Sequence, residues 1–92
     1  MKLLIVVDFQ NDFVNGSLGF EKAVSLDKII ADKIDKYHNE GNDVIFTFDT
    51  HYENYLETQE GKKLPVSHCI KGTNGHKLFG ETANKLTKKD RW

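Results

Sequence analysis

The stretch Lys2-Leu3-Leu4-Ile5-Val6-Val7-Asp8-Phe9-Gln10-Asn11-Asp12-Phe13 decides the fold of this chain. Its apolar run does not alternate with polar residues, so it reads as a parallel-type strand meant for burial on both faces. A second run, Asp43-Val44-Ile45-Phe46-Thr47-Phe48-Asp49-Thr50-His51, has the same character and also ends on an aspartate. The strands are expected over residues 2–9 and 43–49.

Between them, residues 25–40 carry Leu26, Ile29, Ile30, Ile34 and Tyr37 at helical spacing on one face. Ser25 is placed to cap that helix, with Asp27 suiting its dipole. Val24 and Ile29 sit where a hydrophobic staple would pack. Gly41 stands where the left-handed C-terminal residue belongs. Strand, helix and strand form one βαβ unit with a right-handed crossover. Adjacent parallel strands lie about 4.8 Å apart, so Asp8 and Asp49 should meet at the carboxyl edge of the sheet, where open α/β sheets bind ligands.

The remainder is less regular. Residues 10–18 carry turn chemistry in Asn11, Asp12, Asn15, Gly16 and Ser17. A short helical turn is expected around Tyr55 to Gln59, and Gly72-Thr73-Asn74-Gly75 reads as a turn. Residues 77–89 read as a helix with Leu78, Phe79, Ala83 and Leu86 inward. The long irregular stretch after Asp49 is the kind that serves function in a compact domain.

Composition bounds the function. The chain has 92 residues, 38% hydrophobic and 29% charged, with a formal net charge of −1. That balance fits a folded soluble protein and offers no nucleic-acid face. The basic cluster Lys85, Lys88, Lys89 and Arg91 reads as a solvated helix end. No signal peptide or membrane segment is visible, because Asp8 interrupts the only early apolar run. A single cysteine fits a reducing compartment, so a cytoplasmic location is expected. Two strands and a few helices can hardly bury both faces of a sheet in so short a chain. The expectation is the first part of a larger α/β domain, or a protomer completed by a copy of itself or by a complementing chain.

Four groups can carry chemistry. An aspartate closing a strand can simply cap the loop that follows, but Asp8 and Asp49 together, with His51 two residues on, favour a site. Asp49 and His51 lie on one side of an extended chain, and His68 is the best third ligand for a metal with open positions. His38 and His76 are expected to be exposed. Cys69 reads as a small buried residue, since its neighbour His68 would point away from it in extended backbone. Phe9, Phe13 and Phe20 read as core.

Taken together, Val7-Asp8-Phe9-Gln10-Asn11-Asp12-Phe13, Asp49-Thr50-His51 and His68-Cys69-Ile70-Lys71-Gly72-Thr73-Asn74-Gly75 resemble the opening half of the isochorismatase-like cysteine hydrolases, which include the nicotinamidases. The resemblance implies a three-layer α/β fold with a mostly parallel sheet of Rossmann-type topology. Residues 1–92 would be the N-terminal portion of one such domain, truncated before its second half. It implies cleavage of a small amide or related substrate by a Cys–Asp–Lys triad. Asp8 matches the triad aspartate, Phe13 a residue lining the substrate pocket, and Asp49, His51 and His68 the positions that hold zinc, iron or manganese. The family's lysine and nucleophilic cysteine lie further along the chain than any match here. Cys69 corresponds to the motif's other cysteine, and Lys88 and Lys89 do not fit the lysine's place. Pro65 stands where nicotinamidases commonly carry Trp, which argues against nicotinamide as the substrate.

Overall fold

The computed structural model of the protein describes residues 2–87 and residue 90. Two strands, β1 (Leu3–Val7) and β2 (Asp43–Thr47), pair in parallel with Leu3 opposite Asp43 and Val7 opposite Thr47. The chain between them forms α1 (Asn11–Val14), α2 (Glu21–Ser25) and α3 (Asp27–Asn39). After β2 come a 3-10 turn (Tyr55–Glu57), α4 (Gln59–Lys63), a second 3-10 turn (Asn74–His76) and α5 (Gly80–Asn84). The expected α/β order, with both aspartates beyond the same sheet edge, is therefore present.

Helix α3 covers one face of the sheet. Val6, Val44 and Phe46 are buried beneath it with Ile34, and Leu4, Ile30 and Tyr37 pack around them. Burial of side chains this size contributes about 1.5–3 kcal/mol each. The opposite face differs from the expectation of strands buried on both sides. Leu3, Ile5 and Val7 are 51%, 51% and 66% exposed, because no described element packs on them.

The helical segment also departs in detail from its sequence reading. It begins earlier, at Glu21, and is divided at Leu26. Ser25 caps nothing: its hydroxyl donates to the Lys22 carbonyl at 2.7 Å. Val24 and Ile29 are exposed and form no buried staple, and Leu26 is exposed too, since the underlying sheet is only two strands wide. The C-terminus follows expectation. Gly41 has φ +73°, its N–H donates to the His38 carbonyl at 3.0 Å, and the Asn42 N–H donates to Tyr37 at 2.9 Å. That pair of bonds is the Schellman termination.

Asp27 opens α3 yet secures α5. Its carboxylate accepts the N–H groups of Glu81 and Thr82, each at 2.9 Å. Two of the donors left free at a helix start are satisfied from another element. The expected helix over 77–89 is shortened to Gly80–Asn84, because Leu78 instead bridges the buried Gln10 in antiparallel fashion. Leu78 is buried, and Phe79, Ala83 and Leu86 pack against the core as expected. Lys85 is tied to Asp35 at 2.9 Å, which raises its pKa. Lys88, Lys89 and Arg91 lie outside the described residues. Phe9 is core and Phe13 half-buried, whereas Phe20 is exposed, contrary to its core reading.

Candidate metal centre

β1 ends abruptly. Asp8 turns into the left-handed region with φ +50°, a conformation that aspartate tolerates better than most residues. The turn is held by its neighbour strand: the Asp8 N–H donates to the Thr47 carbonyl at 3.2 Å, and the Thr47 hydroxyl donates to the Asp8 carboxylate at 2.6 Å. Asp8 is therefore fixed at the carboxyl edge of the sheet, half-exposed, with its carboxylate already accepting one bond.

β2 delivers Asp49 to the same edge, and the chain runs on to His51. A one-residue parallel bridge then ties His51 to Ile70: the His51 N–H donates to Cys69 at 2.9 Å and the Lys71 N–H donates to His51 at 2.8 Å. That bridge brings His68 alongside. Ligand atoms of Asp49, His51 and His68 lie within 4.8 Å of one another. Asp49 Oδ2 is 3.0 Å from His51 Nε2 and 3.3 Å from His68 Nε2. Ligands held about 2.0–2.2 Å from a metal sit roughly 3–3.5 Å apart, and the two spacings to Asp49 fall in that range.

The donor chemistry agrees. His68 is 3% exposed, and its Nδ1 donates to the Val66 carbonyl at 2.7 Å. With a proton there, Nε2 is the ring nitrogen turned toward the Asp49 carboxylate and, in the neutral ring, the one free to ligate a metal. The bond at Nδ1 is also the usual outer-sphere arrangement for a metal-bound histidine. His51 has Nε2 toward Asp49 and Nδ1 3.5 Å from the exposed Glu60 carboxylate.

The rings rest on a common floor. Tyr55 is buried, with ring centroids 4.6 Å from His51 and 5.0 Å from His68. Burial pushes the Tyr55 phenol up, and the Glu60 and Asp49 carboxylates push it the same way. Its hydroxyl donates to the Leu64 carbonyl at 2.9 Å, anchoring the α4 segment that carries Glu60. Phe13 stands edge-on to His68 at 5.4 Å. All five residues singled out from the sequence thus gather at the carboxyl side of the sheet.

The other candidates lie elsewhere. His38 is not simply exposed, since it contacts the buried Asp90 at 2.8 Å at the far end of β2. His76 is half-buried, with Nε2 2.8 Å from the Thr50 hydroxyl and its ring against Phe48. Cys69 is fully buried, and its thiol is pushed up to about 12, first by burial and then by the carboxylates of Asp49, Asp12 and Asp8. A thiol so held stays protonated near neutral pH and is no nucleophile.

Three residues of the centre were not assigned a role from sequence: Gln10, Asp12 and Glu60. Gln10 and Asp12 belong to the polar run Gln10-Asn11-Asp12 that follows the first strand between Phe9 and Phe13, which is the one local signal they give. Glu60 is placed by Thr58, whose hydroxyl accepts the Gly61 N–H at 3.0 Å and starts α4.

The sequence model of the isochorismatase domain family matches residues 2–91. The chain belongs to this family. Among solved structures it is similar to the pyrazinamidase/nicotinamidase from Streptococcus mutans UA159, at 33% identity and TM-score 0.86, over 100% of this chain and 55% of that one. It is also similar to the pyrazinamidase of Pyrococcus horikoshii, solved in complex with zinc, at 27% identity and TM-score 0.79, over 97% and 48%. A third similar structure is the N-carbamoylsarcosine amidase from Thermoplasma acidophilum, at 25% identity and TM-score 0.80, over 97% and 48%. The chain spans about half the length of these proteins. No curated protein sequence matches it.

Proposed function

We propose that this chain carries the metal-binding and aspartate-bearing portion of a cysteine hydrolase that cleaves a small amide or related substrate. The observation that carries the reading is the convergence of Asp49, His51 and His68 within 4.8 Å, at the edge where β1 also presents Asp8. The amidase names of the similar structures, one of them solved with zinc, support it.

In this reading Asp49, His51 and His68 hold zinc, iron or manganese. The ion supplies a Lewis-acid site for a substrate nitrogen and for ordered waters. Phe13, edge-on to His68, lines the pocket and orients an aromatic or apolar part of the substrate. Asp8 is the general base that takes the proton from an attacking thiol. Neither that thiol nor the family's lysine has a match in residues 1–92, which form the N-terminal portion of a single isochorismatase-like domain. Both groups belong to the half of such a domain that residues 1–92 do not span, and that half would also cover the open face bearing Leu3, Ile5 and Val7. The protein works in the cytoplasm, where its single thiol stays reduced.

A second reading is a non-catalytic binding or assembly module. It is favoured by one observation, that the sole cysteine is buried with its thiol raised to about 12. Mixing this chain with the C-terminal half of the Streptococcus mutans relative separates the two. Amide turnover that appears only in the mixture, and disappears with Asp8→Asn, is expected for the hydrolase. Stable complex formation without turnover would favour the module.

A further inference from the structure

Gln10 is a fully buried polar side chain, and it makes three hydrogen bonds, all to main-chain atoms. Its Nε2 donates to the carbonyl of Asp49 at 2.9 Å and to that of His76 at 2.7 Å. Its Oε1 accepts the Asp49 N–H at 2.8 Å. The side chain thus binds both the donor and the acceptor of one residue, as a neighbouring strand would do in a ladder.

The reason lies in the strand ends. β1 turns away at Asp8, whose N–H makes the last bond to Thr47. Beyond Thr47, β2 has lost its partner, yet the chain must continue in a defined direction to place the Asp49 carboxylate. A primary amide is the one side-chain group that offers a donor and an acceptor side by side. Buried and unpaired, the amide would destabilise the fold, so its three satisfied bonds hold the backbone firmly.

We infer that Gln10 is a positioning residue for the candidate metal centre: its amide stands in for the missing strand and fixes the Asp49 backbone, and so aims Asp49 Oδ2 at His51 and His68. This inference rests on the metal reading above. It extends that reading to a residue that touches neither metal nor substrate. Removing such outer support typically weakens metal binding about 10–100-fold.

The test is zinc affinity of the full chain, measured by competition with a chromophoric chelator. Gln10→Glu keeps the shape but turns two donors into acceptors facing carbonyls. Gln10→Met keeps the length and removes all three bonds. Asp27→Asn, which loosens α5 remotely, serves as a control for stability alone. Circular dichroism gives the folded fraction of each, and hydrogen exchange at the Asp49 amide reports the clamp directly. The expected result is 10–100-fold weaker zinc binding per folded molecule and faster Asp49 exchange in both Gln10 variants, with Asp27→Asn binding as the parent does. Parent and Gln10 variants binding zinc equally would overturn the positioning role and leave the site intact. A parent chain that fails to bind zinc would overturn the site, and the inference with it.

Discussion

The Asp12 carboxylate accepts the backbone N–H of Cys69 at 2.8 Å, across 57 residues of sequence. Cys69 itself is held at φ +49°, outside the range its side chain prefers. One anionic acceptor thus pins a strained residue next to His68. The space around it is closed: a β-carbon on Gly75 would run into the Asp12 carboxylate, and so would one on Gly16. Gly75→Ala should therefore cost about 1–3 kcal/mol by crowding alone, and more if the Asp12–Cys69 bond is broken. Gly41→Ala meets no neighbour and should cost only about 1 kcal/mol for its positive φ. Urea unfolding of the two variants checks the order.

Metal content distinguishes a ligand set from three residues that happen to meet. After dialysis against buffer with trace zinc, the parent chain should retain close to one equivalent. His51→Ala and Asp49→Ala should each retain far less, because only two ligands of the three remain. Equal content in parent and variants, read by plasma emission, would show that zinc does not sit here.

The isolated chain should hydrolyse nicotinamide and simple amides no faster than buffer. Its thiol has no exposed surface and is held near 12. Native Cys69 should therefore react with iodoacetamide at pH 8 far more slowly than the unfolded chain. Turnover lost in Cys69→Ser would assign this cysteine a catalytic role that its burial opposes.

The raised thiol also sets a pH dependence. The folded pKa of about 12 lies above the unfolded reference of 9.0, so the folded state binds this proton more tightly. The resulting stability is full below pH 9 and is lost as pH rises toward 12, with a limiting slope of about 1.4 kcal/mol per pH unit. Cys69→Ala should remove this component, giving a shallower decline in denaturant midpoint between pH 9 and 11 than the parent shows.

The uncovered sheet face predicts association. Leu3, Ile5 and Val7 present three apolar side chains beside an open strand edge, a combination that invites pairing. Sedimentation of the isolated chain should show species larger than 10.6 kDa. Ile5→Lys should shift the population toward monomer. A compact parent monomer that unfolds cooperatively would contradict this.

Much of the fold was legible because it is set by local pattern. The apolar runs of β1 and β2 and the helical spacing of Ile30, Ile34 and Tyr37 each follow from neighbours within a few residues. Gly41 was legible for the same reason, since a helix end needs its left-handed residue immediately after it. The placing of Asp8 and Asp49 beyond one sheet edge was legible too, because two strands that run parallel must release their ends on one side.

By itself, then, the sequence determined the βαβ order and the sheet edge at which Asp8 and Asp49 emerge. Tertiary structure decided what holds them. Asp27 caps α5 rather than merely opening α3, Gln10 replaces a strand for Asp49, Asp12 pins Cys69, and Val66 sets the proton on His68. Most of these bonds join residues dozens of positions apart. Their partners are fixed only when α1, the His51–Ile70 bridge and the α5 segment pack together, so no local periodicity announces them. Packing likewise decided that Leu26 and Ile29 face outward, because helix spacing fixes which residues share a face but not how wide a sheet lies beneath it.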